Sequence, residues 1–188
     1  MEGRTADHID LTSIHVLMKS QYHAALAMLR EAIEQCPDDV WFSGEHRNAY
    51  WQVAYHTLFF AHLYLMPDEA AFQPWTGHQA DVQHPDGIAG PVDPGSSLPL
   101  IPKPYTKGEA LEYWSICDEM VDRAVETLDL TSPTSGFSWY TMPKLEHQIV
   151  NIRHIQHHTA QLADRLRSAK DLATRWVGGR RQTSRGLE

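Results

Sequence analysis

Apolar residues recur along most of this chain at spacings of three and four, the period that lines up one face of an α-helix. The first such stretch runs from about Leu11 to Gln35. Ile14, Leu17, Met18, Tyr22, Ala25, Leu26, Leu29 and Ile33 make its stripe, and Pro37 follows its end. A second runs from about Glu45 to Leu65 and stops before Pro67. A third opens on Thr106-Lys107-Gly108-Glu109, a pattern in which the Thr and Glu side chains satisfy free backbone amides at a helix start. It extends to about Leu128 through Leu111, Trp114, Ile116, Met120, Val121 and Val125. The fourth begins near Thr141-Met142-Pro143, where a proline in the first turn costs no hydrogen bond, and continues past Arg167. Nothing between these stretches reads as a strand. Four amphipathic helices of this length bury their stripes against one another, so the expected fold is all-α, a four-helix bundle.

The connection between the second and third helices, Pro67 to Tyr105, carries eight of the eleven prolines and several Pro-Gly, Asp-Gly and Gly-Pro turn signals. It is far longer than the usual link between helices, so it can cross the end of a bundle and permits parallel as well as up-and-down neighbours. Phe72, Trp75, Leu98, Leu100, Ile101 and Tyr105 predict that it packs down rather than floats, either as the wall of a site or as cover for an apolar helix face. The 188 residues suit one domain, expected over 1–177, followed by a flexible basic Gly/Arg-rich tail over 178–188.

Composition narrows the function classes. The net charge is −8, unevenly spread: from residue 151 onward eight Arg/Lys face three Asp/Glu, a net of +5, which leaves −13 for the first 150 residues. An acidic body argues against nucleic-acid binding, and a basic end reads first as a solvated helix terminus. The longest mainly apolar run, Val53 to Met66, contains His56 and His62 and is too short and too polar for a bilayer, so no membrane partner is expected. The opening residues lack a charged-then-apolar leader, which places the expected location in the cytoplasm. Cys36 and Cys117 are then expected to be reduced thiols that serve packing.

The chain holds 12 histidines, an excess that asks for a reason. In the fourth helix His154 and His158 stand about 40° apart on neighbouring turns, close enough to share one ion, and His147, Asn151 and Gln161 lie on the same face. His157 falls about 60° to the other side and is expected to flank a site rather than ligate. In the second helix His56 sits in the middle of the apolar stripe of Ala49, Val53, Phe60 and Leu63, where a polar group needs a partner; His62, about 120° further round, is expected to be exposed or at an interface. Three inward imidazoles from two helices suit a divalent transition ion and leave positions open for water or substrate. The alternative is three core histidines, each satisfied by a carbonyl, a hydroxyl or water.

The stretches Trp51-Gln52-Val53-Ala54-Tyr55-His56 and His154-Ile155-Gln156-His157-His158-Thr159-Ala160-Gln161-Leu162 together resemble the DinB-like superfamily, bacterial four-helix bundles that hold a divalent metal through one histidine of the second helix and an i, i+4 pair of the last. Carried over, the ligands fall on His56, His154 and His158, with Gln161 as a supporting hydrogen-bond partner; position on the helix adds His157, His147 and Asn151, and the loop adds Trp75, as further candidates around the site. The family commonly has Arg-Gly where this chain has Thr159-Ala160, and Arg153 or Arg165 are the cations available in their place.

The resemblance implies a zinc, nickel or iron cofactor, a low-molecular-weight thiol cosubstrate, a small-molecule substrate and a homodimer. It implies a thiol-dependent S-transferase or related enzyme. A metal-dependent hydrolase and a non-catalytic metal-binding stress-response protein are the alternatives. Trp75 and His78 are the loop residues that could wall the open metal positions; the alternative is a loop that only covers an apolar helix face. No serine-nucleophile elbow, phosphate loop or His-Glu-x-x-His is present.

Overall fold

The computed structural model describes residues 10–80, 82–84 and 103–179. Among these the regular elements are all helices, α1 over Leu11–Gln35, α2 over Asp38–Trp41, α3 over Tyr50–Tyr64, α4 over Lys107–Thr127 and α5 over Lys144–Lys170. The four long helices agree with the expected all-α class. Their boundaries follow local chemistry. Asp10 caps α1 by accepting from the Ser13 N–H at 2.7 Å. At α4 the Thr106 hydroxyl accepts from the Glu109 N–H and the Glu109 carboxylate accepts from the Thr106 N–H, the reciprocal cap expected from those two residues.

Two details differ from the periodicity. Pro37 not only ends α1 but stands at the N-cap of the short α2, whose Trp41 is fully buried and donates to the Tyr105 carbonyl. The following helix starts at Tyr50 rather than near Glu45, because the side chain of Gln52 turns back to accept from the Ala49 N–H and fixes the start there. At α5, Pro143 is the residue before the first turn rather than within it.

Hydrogen bonds between helices give their directions. Leu26 with Trp114, His23 with Asp118 and Lys19 with Glu126 run α4 antiparallel to α1. Tyr64 with Gln148 and Ala61 with Asn151 run α5 antiparallel to α3. Tyr22 with Gln148 and Met28 with Gln156 run α1 alongside α5 in the same sense. Each long helix thus packs on two others, α1 against α4 and α5, α3 against α4 and α5. The core between them holds Tyr22, Leu26, Leu29, Ile33, Leu58, Tyr113, Val121, Ile155 and Leu162, all buried. Apolar burial of this extent is the main favourable term for the fold.

In α3 most residues are buried, so this helix lies at the centre of the packing. The segment after α5 folds back on α1, where Gln21 donates to the Gly178 carbonyl and Arg175 pairs with Glu31. Of the expected tail, residues 180–188 lie outside the described residues, as do Leu98, Leu100 and Ile101 of the long connection. Cys36 and Cys117 are free and buried, and burial raises both thiol pKa values, that of Cys36 to about 12. No helix of the described residues is long and apolar enough to cross a membrane.

Candidate metal centre

The antiparallel contact of α3 with α5 sets His56 opposite the pair His154 and His158. One nitrogen from each of the three lies within 4.8 Å of the others. His56 Nε2 and His154 Nε2 stand 3.1 Å apart. His56 packs edge-on to His158, and Phe60 covers His56 and His154 from the apolar side. The centre is half-buried rather than sealed.

Outer hydrogen bonds orient the rings. A neutral imidazole carries one N–H and one lone pair. His56 Nδ1 lies 2.7 Å from the Gln83 carbonyl, which can only accept, so the hydrogen is on Nδ1 and Nε2 offers its lone pair. His158 Nδ1 lies 2.9 Å from Gln161 Oε1, which assigns its hydrogen in the same way. The Gln161 amide in turn donates to His157 Nε2 at 3.2 Å. Gln161 therefore has the supporting position expected of it, and His157 flanks it on the exposed side. Partners of this kind on the distal nitrogen are how proteins aim histidine ligands at an ion.

The donor set fits a divalent transition ion. His154 Nε2, 3.1 Å from the His56 Nε2 lone pair, donates to it in one tautomer and in the other offers a second lone pair that a cation can share. Zn–N bonds near 2.0–2.1 Å in a tetrahedron imply a nitrogen–nitrogen edge of about 3.3 Å, close to the 3.1 Å between His56 and His154, with all three nitrogens within 4.8 Å of one another. Burial, reinforced by His158, His56 and His157, pushes the His154 pKa down to about 3, and burial also lowers that of His158. Both rings are thus kept neutral, the form that ligates. His154 Nδ1 is buried without a hydrogen-bond partner.

A cleft of about 340 Å³ opens over His56 and His158, lined also by Asn48, Val53, His84, Gln161 and Arg165. No carboxylate is among these lining residues. A larger cavity of about 620 Å³ lies between α1, α4 and the C-terminal segment, but it contains none of the three histidines, and the chemistry belongs to the smaller cleft.

Other candidates fall elsewhere. His147 is fully buried two turns before His154, in a nest of Tyr64, Phe137 and Tyr140, and neither ring nitrogen has a partner. Burial lowers its pKa to about 4. Asn151 donates to the Ala61 carbonyl and ties α5 to α3. Trp75 stacks on Tyr113 of α4 and is not among the residues lining the cleft. His78 pairs with the Tyr55 hydroxyl at 2.5 Å. His62 is half-buried at the α3–α4 contact, against Tyr113 and Phe72.

Among the described residues of the loop, those that reach the centre are Gln83, through its carbonyl, and His84, not Trp75 or His78. No periodicity marks a loop residue, so neither could be found that way. Arg165, by contrast, lies seven residues after His158 and was legible as a member of the same helix face.

No family model matches the chain, and neither does any curated protein or solved structure.

Proposed function

We propose that this chain is a DinB-like four-helix bundle that binds a divalent transition ion through His56, His154 and His158 and uses it in thiol-dependent S-transfer or a related reaction of a small-molecule substrate. The observation that carries this reading is the convergence of three imidazoles, two of them with the distal nitrogen held by Gln83 and Gln161, at the edge of an open cleft. Zinc, nickel and ferrous iron all suit such a donor set.

A bound divalent ion supplies Lewis acidity, which lowers the pKa of a coordinated thiol and keeps it nucleophilic at neutral pH. The chain's own part is positional. Gln83 and Gln161 hold two of the rings, Phe60 keeps one side dry, and the cleft admits a ligand of small size. Neither cysteine can serve as the thiol, since both are buried with raised pKa values. Unpaired buried cysteines accord with a reducing compartment, here proposed to be the cytoplasm. The proposed homodimer has Leu11, Val16 and Leu17 of α1 as exposed apolar contact candidates.

The hydrolase reading is less well supported, because among the described residues no carboxylate lines the cleft to act as general base. The test is elemental analysis of the purified protein followed by thiol-consumption assays with mycothiol, bacillithiol and glutathione against a chromogenic electrophile. About one ion per chain and metal-dependent turnover are expected. Protein that takes up no transition ion overturns the reading; a bound ion without turnover favours the non-catalytic alternative.

A further inference from the structure

The cleft beside the three histidines contains a cation, Arg165, and among the described residues no carboxylate lines that cleft. Arg165 is half-buried, and its Nη1 donates to the Asn48 carbonyl at 2.8 Å. A guanidinium has five N–H donors, so most of its hydrogen-bonding capacity remains for another group. Among the described residues no carboxylate forms an ion pair with it. Asp39 and Glu45 line a neighbouring cavity that Arg165 also borders, but Asp39 is paired with Lys170. Burial lowers the Arg165 pKa, which marks a charge partly stripped of water. A desolvated guanidinium is stabilised most by a carboxylate, whose two oxygens match its planar fork.

Position adds to chemistry. Arg165 is two turns after His158 and one turn after Gln161, so the three share one face of α5. Arg165 borders the same cleft as His56 and His158. Among the described residues the lining is otherwise uncharged apart from the histidines, and a divalent ion there would add further positive charge.

We propose that the cleft selects a short organic anion, its carboxylate held by Arg165 while a donor atom at its other end meets the His56, His154 and His158 face. The proposal rests on the metal reading above and assigns the class of ligand: a carboxylate-bearing thiol rather than a neutral one.

The test uses the full chain loaded with Co²⁺, whose visible bands report changes in its ligands. 3-Mercaptopropionate and the neutral 2-mercaptoethanol are titrated into wild type, Arg165→Gln and Arg165→Lys. Wild type is expected to bind the carboxylate about tenfold or more tightly than the neutral thiol, as expected for a charge-assisted hydrogen bond. Arg165→Gln is expected to abolish the preference while retaining Co²⁺, and Arg165→Lys to keep part of it. Equal affinities in wild type, or a preference that survives in Arg165→Gln, overturn the proposal with the metal reading intact. If Arg165→Gln does not fold, the two-thiol comparison in wild type and Arg165→Lys decides it. Absence of cobalt bands in wild type overturns the metal reading and this proposal together.

Discussion

Each histidine in this protein acquires its character from its surroundings. His154 and His147 are both on α5, seven residues apart, yet one faces two other imidazoles and the other is enclosed by aromatic rings. Substituting His56, His154 or His158 by Ala should each abolish stoichiometric metal uptake in a Zn²⁺ or Co²⁺ titration. Gln161→Leu, which removes only the group orienting His158, should weaken metal binding by roughly 10- to 100-fold without unfolding the chain.

His147 gives a separate pH prediction. Its folded pKa of about 4 lies below the ordinary value of 6.5, so the unfolded chain takes up a proton first as pH falls. Its contribution to stability is therefore full above pH 6.5 and is lost progressively down to about pH 4, by roughly 3 kcal/mol at most. His147→Phe, which suits the same aromatic nest, should flatten that part of a stability–pH curve measured by urea denaturation.

Helix ends and joints are determined by single residues. The Thr106 cap at α4 should be worth about 1 kcal/mol, lost in Thr106→Ala and seen as a lower urea midpoint at unchanged slope. The joint between α4 and α5 is tighter. Gly136 adopts φ +85°, and a Cβ there would run into the carbonyl of Pro67. Lys144, buried at the start of α5, donates to the carbonyls of Pro67 and Ser135 and lies over the Phe137 ring. Gly136→Ala should therefore destabilise by roughly 1–3 kcal/mol, since it combines a disfavoured backbone conformation with a steric conflict. These residues hold the entry to α5 and so help determine the height at which His154 and His158 meet α3.

At the scale of the whole molecule, the ion would join two helices that approach each other from distant parts of the chain. Zn²⁺ at about 100 times its dissociation constant should add roughly 2.7 kcal/mol, which raises the melting temperature by roughly 5–10 °C for a chain of this size. A thermal scan with and without Zn²⁺ tests this, and the His154→Ala variant should show no such shift. A rise of equal size in that variant would place the stabilising ion elsewhere.

Much of this arrangement was encoded locally. The spans of α1, α4 and α5 follow from apolar residues three and four apart, and the Thr106–Glu109 cap and the His154–His158 pair follow from a single turn of helix, all interactions that close within a few residues. The half-buried setting of His56 was legible too, as a polar residue in an apolar stripe. The pairing of His56 with His154 was not encoded in either segment, because it depends on how α3 and α5 align across the core. The Gln83 carbonyl that orients His56, the place of His84 in the cleft wall, and the removal of Trp75 to Tyr113 were likewise decided by packing, since a loop carries no period from which its contacts can be read. Sequence by itself determined which side chains a helix presents together; tertiary structure decided which helices and loops meet, because contacts between residues far apart in the chain arise only when the whole core closes.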